Sequence, residues 1–232
     1  MKILMIRHGD PDYENDCLTE KGRREAALLA ERIAPMDIAA YYVSPMGRAR
    51  ETAEYTLKKA GRTAEVCNWL HEFHEAVQDG GEPRVTWDML PENWTKVKEY
   101  FSKHEWLDTD AMRAADMERK VKAVCEGLDG LLRRWGLERE GDAYRVVKKC
   151  DDTIALYCHF GVTCLMAAHL LGISPLLVWQ GFNAEPTAVA VFCTDDRHGD
   201  VVNFRMHCFG DTSHLSSPDG VFPPPVPLEA RD

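Results

Sequence analysis

Lys2-Ile3-Leu4-Met5-Ile6-Arg7-His8-Gly9-Asp10-Pro11 sets the reading of this chain. Residues 2–6 are an apolar run too short for a helix, and Gly9 and Pro11 end it, which is the pattern of a buried strand feeding a turn. A guanidinium and an imidazole therefore stand at a strand's C-terminal end. The same succession recurs twice. Thr153-Ile-Ala-Leu-Tyr-Cys158 leads into His159-Phe160-Gly161 and an apolar helix around 162–171. Ile38–Val43 leads into Ser44-Pro45, which predicts an N-cap followed by proline at the first helical position. A helix from about Pro45 to Lys59 then carries Arg48 in its first turn.

Between these units, Thr19 is placed to cap a helix on which Ala26, Leu29, Ala30 and Ile33 recur at helical spacing, with Pro35 closing it. Residues 64–67 read as a weak third strand. Residues 187–194 and 201–208 read as two strands that pair as a hairpin. From 76 to 150 the chain reads as a mostly helical insertion with its longest helix at about 110–135, marked by Met117, Val121, Val124, Leu128, Leu131 and Leu132. Trp87, Trp94 and Trp106 would fill a small core there. Strands alternating with helices predict an α/β fold: a three-layer sandwich with a mainly parallel sheet, built as a single domain over residues 1–232. In such a fold the crevice lies beyond the C-terminal strand ends, where Arg7, His8 and His159 meet. The Pro223-Pro224-Pro225 segment reads as an extended tail.

Composition excludes several functions. Of the 232 residues, 45% are hydrophobic and 28% charged, so a core can form and the chain is no disordered polyelectrolyte. A net charge of -10 argues against a broad basic surface, hence against nucleic acid or an anionic membrane as partner. An anionic substrate needs a local cationic pocket instead. No apolar run approaches membrane-span length and the N-terminus is too short and polar for a signal peptide, so the expected location is cytoplasmic. The eight cysteines are scattered with no CxxC pair, which predicts reduced thiols and no structural metal.

A phosphate monoester brings nearly two negative charges, so a site that moves its phosphoryl group needs preorganised cations and a nucleophile in line with the leaving oxygen. Arg7, Arg48 and His159 can supply the cations. Arginine's planar fork makes bidentate contacts with phosphate oxygens, and Arg48 also has the backbone N–H groups of a helix start beside it.

Five segments now form one pattern. Arg7-His8-Gly9 resembles the RHG signature of the histidine phosphatase superfamily, also called the phosphoglycerate mutase-like family. Leu18-Thr19-Glu20-Lys21-Gly22-Arg23 looks like its LTxxGR segment, and Ser44-Pro45-Met46-Gly47-Arg48-Ala49-Arg50-Glu51-Thr52 its SPxxRAxxT segment. Leu70-His71-Glu72 matches LxE, and His159-Phe160-Gly161 the second histidine with its following glycine. The resemblance implies an α/β sandwich, a phosphohistidine on His8, no required metal or other cofactor, and substrates from sugar phosphates to phosphoproteins. It makes Arg7, Arg48, His159 and Gly161 the phosphate-binding residues, and Glu72 the proton donor.

The departures matter too. Phe73-His74-Glu75 follows Glu72 where many members have glycine, which leaves Glu75 as a rival acid. Asp10-Pro11-Asp12-Tyr13-Glu14 replaces the Glu-Ser and Trp-Asn pairs typical of mutases. The expectation is a phosphomonoesterase acting on a small phosphorylated metabolite. A phosphoglycerate mutase-type phosphotransferase and a non-catalytic phospho-ligand sensor are the alternatives. Oligomeric state is not encoded in these motifs.

Overall fold

The computed structural model describes residues 1–195 and 199–216. In chain order the elements are β1 (Lys2–Arg7), β2 (Pro11–Asp12), β3 (Cys17–Leu18), α1 (Glu20–Ile33), β4 (Ala40–Val43), α2 (Gly47–Ala60) and β5 (Ala64–Val66). The middle of the chain gives β6 (Ala76–Asp79), β7 (Glu82–Val85), α3 (Pro91–Trp94), α4 (Asp110–Ala114), α5 (Met117–Arg134), β8 (Leu137–Glu140) and β9 (Ala143–Val146). The last third gives β10 (Thr153–Cys158), α6 (Phe160–Leu171), α7 (Pro175–Gly181), β11 (Val189–Asp195) and β12 (Val201–Asp211). The proline tail lies outside the described residues.

Among the described residues eight strands form one sheet in the order β5-β4-β10-β1-β11-β12-β9-β8. The first four run parallel, as the strand–helix alternation predicts; the remaining four join antiparallel. Strand alternation sorts the core into two layers. Leu4, Ile6, Ala155 and Tyr157 pack with Leu29 and Ile33 of α1 and Ala49 and Ala53 of α2. Ile3, Met5, Ile154, Leu156 and Cys158 point to the other face, with Val124 and Leu128 of α5 and Val162 and Leu165 of α6. This is the sandwich: helices on both faces of a sheet whose central strands are apolar throughout.

Residues 76–150 are organised around α5 but also bring two hairpins. Gly80-Gly81 turns β6 into β7, and the charged β8–β9 hairpin extends the main sheet through β12. Glu138, Arg139, Glu140 and Arg145 hide the period-2 pattern of that hairpin in the sequence. The single helix predicted at 110–135 is two, because Asp116 adopts a left-handed backbone (φ 51°) between α4 and α5. The predicted helix at Pro45 begins at Gly47 instead, with Met46 in the N-cap position and Ser44 outside it. Ser44 is fully buried and turned to another use.

The turn after β1 is tied to α1. Thr19 caps α1 by accepting from Gly22 N–H, while its own N–H donates to the Asp10 carbonyl at 3.0 Å. Asp10 N–H donates to the Glu25 carboxylate at 2.9 Å. A Cβ on Gly22 would stand 2.2 Å from the Asp10 carbonyl oxygen, so only glycine lets the two segments touch. Gly22→Ala should therefore destabilise the protein by about 1–3 kcal/mol, against a helix-propensity gain of up to about 1 kcal/mol. A urea midpoint equal to or above that of the parent protein would refute this.

Candidate active site

Three parallel strands deliver their last side chains to one place. His8 N–H donates to the Cys158 carbonyl at 3.0 Å and Ser44 N–H to the Tyr157 carbonyl at 2.9 Å, so β1, β10 and β4 end in step. Beyond them lie Arg7 and His8, His159, and Ser44 with the start of α2. The His8 and His159 rings face each other with centroids 5.1 Å apart.

His8 is 1% exposed. Its Nδ1 lies 2.7 Å from the Gly9 carbonyl, which can only accept, so Nδ1 carries the proton and Nε2 the lone pair. Arg48 Nε donates toward that Nε2 at 3.3 Å. Burial above all, then Arg7 and Arg48, push the His8 pKa down to about 3, against the pull of the Gly9 carbonyl and Asp16. At neutral pH this is an uncharged imidazole whose Nε2 lone pair faces the Arg48 guanidinium.

His159 is pushed well below the ordinary histidine range, first by burial and then by His8, Arg48 and Arg7. Its Nε2 is 2.7 Å from Ser44 Oγ, which itself accepts from Met46 N–H at 3.3 Å. The serine hydroxyl has its proton available for Nε2, and in the tautomer where it donates there the ring proton lies on Nδ1. That Nδ1 is buried without a hydrogen-bond partner. Arg7 shows the same feature: Nη1 donates to the Ala184 carbonyl at 2.5 Å, and Nε is buried and unpaired.

Arg48 is 5% exposed and held by Asp16, whose carboxylate accepts from Nη1 at 2.6 Å. Glu72 arrives from the segment after β5. Its Oε1 accepts from Phe73 N–H at 2.7 Å and from Val162 N–H, in the first turn of α6, at 3.2 Å. Burial raises the Glu72 pKa, opposed by Arg7, by these two N–H groups and by Arg48. Burial wins, so this carboxyl keeps its proton to higher pH than an ordinary glutamate.

Gly161 lets this segment approach α6: a Cβ there would stand 2.3 Å from the Phe73 carbonyl oxygen and 2.9 Å from Glu72 Oε1. The glycine following the second histidine thus seats the Glu72 carboxyl. Glu75 points elsewhere and pairs with Lys120 of α5 at 2.5 Å.

The sequence-predicted residues Arg7, His8, Arg48, Glu72, His159 and Gly161 are thus brought together. Sequence reasoning missed Asp16, which reads as one more polar turn residue, and took Ser44 for a helix cap. Ser44's place directly after a strand of the same type as β1 was the available signal. Among the described residues no three His, Cys, Asp or Glu side chains stand close enough to share a metal ion. A separate cavity of about 200 Å³, lined by Trp106, Cys125, Arg139 and His169, lies at the opposite end of α6.

Comparison with known proteins agrees with this geometry. A probable phosphatase of Schizosaccharomyces pombe is 27% identical over 243 residues, covering 94% of this chain and 96% of its own. A 2,3-bisphosphoglycerate-dependent phosphoglycerate mutase of Thermoplasma acidophilum is 40% identical over 65 residues, covering 23% of this chain and 32% of its own. Among solved structures, phosphoserine phosphatase of Entamoeba histolytica, as a histidine-to-alanine mutant in complex with phosphoserine, superposes with a TM-score of 0.60 at 21% identity. It covers 92% of this chain and 98% of that one. A mycobacterial glucosyl-3-phosphoglycerate phosphatase gives a TM-score of 0.58 at 15% identity, covering 90% and 98%. Among the described residues no helix is long and apolar enough to cross a membrane. The profile of the histidine phosphatase superfamily (branch 1) matches residues 3–206, from the second residue of β1 well into β12, and on that extent of agreement the chain belongs to this superfamily and is a phosphatase.

Proposed function

We propose that the protein hydrolyses a small phosphorylated metabolite through a phosphohistidine on His8. One observation carries the reading: Arg7 Nε and His159 Nδ1 are both buried without a partner beside a neutral nucleophilic imidazole. Buried donors are normally satisfied, and leaving one orphaned costs about 1–3 kcal/mol. A tetrahedral oxyanion at His8 Nε2 would satisfy both, and Arg48 with them. The fold neighbours that act on phosphoserine and glucosyl-3-phosphoglycerate support a small phosphomonoester as substrate class.

The chemistry follows from the protonation states. His8 Nε2 attacks phosphorus as the P–O bond to the leaving alcohol breaks, and protonated Glu72 gives its proton to that oxygen. The new P–N bond leaves an imidazolium-like ring whose positive charge the Gly9 carbonyl supports through Nδ1–H. In the second half-reaction the Glu72 carboxylate takes a proton from water, whose oxygen attacks phosphorus while the P–N bond breaks. Inorganic phosphate leaves, and His8 and Glu72 return to their starting states.

Rapid quenching during turnover of a panel of phosphorylated metabolites tests this. At least one should release phosphate, and the trapped adduct should survive base and be lost in acid, as a phosphoramidate is. An acid-stable adduct would move the nucleophile to a hydroxyl. Interconversion of 3- and 2-phosphoglycerate with little free phosphate, primed by a trace of the 2,3-bisphosphate, would overturn hydrolysis in favour of a mutase.

A further inference from the structure

Asp16 belongs to none of the motifs above, yet the fold goes to some length to put it where it is. It sits just before β3 in a left-handed backbone (φ 48°), a conformation that costs a non-glycine residue energy but is least unfavourable for Asp and Asn. One carboxylate oxygen accepts from Arg48 Nη1 at 2.6 Å, the other from Gly47 N–H at 2.6 Å. Gly47 makes this possible, because a Cβ there would lie 2.1 Å from the Asp16 carbonyl oxygen. The N-cap residue of α2, Met46, offers no side-chain cap, so Asp16 supplies it from a separate loop.

The geometry separates the two sides of the Arg48 guanidinium. Nη1 is committed to a carboxylate. Among the described residues the edge formed by Nε and Nη2 is met only by weak acceptors: His8 Nε2 at 3.3 Å and the Met46 thioether sulfur at 3.5 Å. That edge is a two-pronged fork of the kind that grips a phosphate oxygen pair, and it lies beside the nucleophilic nitrogen. Tyr13 covers one face of the guanidinium, its ring centroid 5.3 Å from Cζ. The arginine is thus fixed at its far corner and left available at its near edge.

We propose that Asp16 is a positioning residue for the phosphoryl transfer: by anchoring Arg48 Nη1 and the start of α2 together, it aims the Nε/Nη2 edge at the phosphoryl group on His8. It does so without entering the phosphate pocket, because it binds a different corner of the guanidinium. The proposal rests on the phosphatase reading of the site. It predicts that Asp16 acts only through Arg48, which a merely structural cap would not.

The test is a double-mutant cycle on phosphate release, with inorganic phosphate as the inhibitor probe and urea denaturation in parallel. Asp16→Ala should raise KM and the phosphate inhibition constant about tenfold and lower kcat several-fold, with Asp16→Asn intermediate because it keeps the Gly47 contact. In the Arg48→Ala background, Asp16→Ala should change kcat/KM by less than about twofold. Equal losses in both backgrounds would reduce Asp16 to a helix cap and overturn the proposal. Tighter phosphate inhibition in Asp16→Ala would also overturn it, by making Asp16 a competitor for the pocket. Should the alanine variant fail to fold, the asparagine variant carries the same cycle. If Arg48→Ala alone leaves phosphate inhibition unchanged, the phosphate pocket itself is misassigned, a failure distinct from that of Asp16.

Discussion

Replacement of His8 by alanine should lower phosphate release a thousandfold or more while the protein stays folded, since in the proposed mechanism Nε2 carries the phosphoryl group between alcohol and water. The side chain is 1% exposed, but it bonds the Gly9 carbonyl and accepts from Arg48 Nε rather than burying a large apolar surface, so its loss should cost about 1–3 kcal/mol at pH 7. Stability against pH gives a second readout. The folded-state pKa of His8 is depressed to about 3, so the unfolded chain takes up a proton near pH 6.5 that the folded chain refuses. Stability from this group is present above 6.5 and is lost as pH falls toward 3, at up to about 1.4 kcal/mol per pH unit. His8→Ala should lose stability less steeply than the parent between about pH 6.5 and 5. Turnover within tenfold of the parent would sink the nucleophile assignment.

Glu72→Gln should produce the second largest effect, and a selective one. Alkyl phosphates leave as poor alkoxides and need the proton, so their kcat should fall by about 10²–10³. A nitrophenyl phosphate, whose leaving group is already stable as an anion, should suffer far less in its first half-reaction. Burial raises the Glu72 pKa, so the proton-donating form extends to higher pH than an ordinary glutamate would allow. For alkyl phosphates kcat/KM should therefore decline as pH rises through that value, and the decline should vanish in Glu72→Gln. Glu75→Gln should stay within about threefold of the parent, because its carboxylate is engaged by Lys120 on the surface of α5. If Glu75→Gln were the more damaging change, the acid would have to be reassigned.

The histidines and arginines were legible because each follows a strand whose apolar run is unmistakable, and strand ends are where an α/β sheet opens. β1 and β10 could be bounded from composition alone. Glu72 was legible only through resemblance: nothing in Leu70-His71-Glu72-Phe73-His74-Glu75 distinguishes two carboxylates that the fold sends in different directions, one onto the α6 N-terminus and one to Lys120. Asp16 was illegible, and Ser44 showed only in its place after a strand, for a different reason. Their partners, Arg48 and His159, are remote in sequence, and polar residues in turns are usually solvated. The β8–β9 hairpin escaped because charges occupy the positions that would show alternation, and the break at Asp116 because left-handed aspartate has no signature in a helical pattern.

The order of the sheet has a consequence for how the chain meets its own copies. A strand at a sheet's margin exposes a row of unpaired peptide groups that invite another strand to add on. Here the margins are β5, three residues long, and β8, which reads Leu-Glu-Arg-Glu. Glu65 at the centre of β5 is gripped by both terminal nitrogens of Arg134 at 2.7 Å, and Arg145 of β9 reaches Glu140 of β8 at 2.5 Å. Both borders are short and flanked by paired charges whose desolvation would oppose an incoming strand. Growth of this eight-stranded sheet from one molecule into the next is disfavoured at both of these margins.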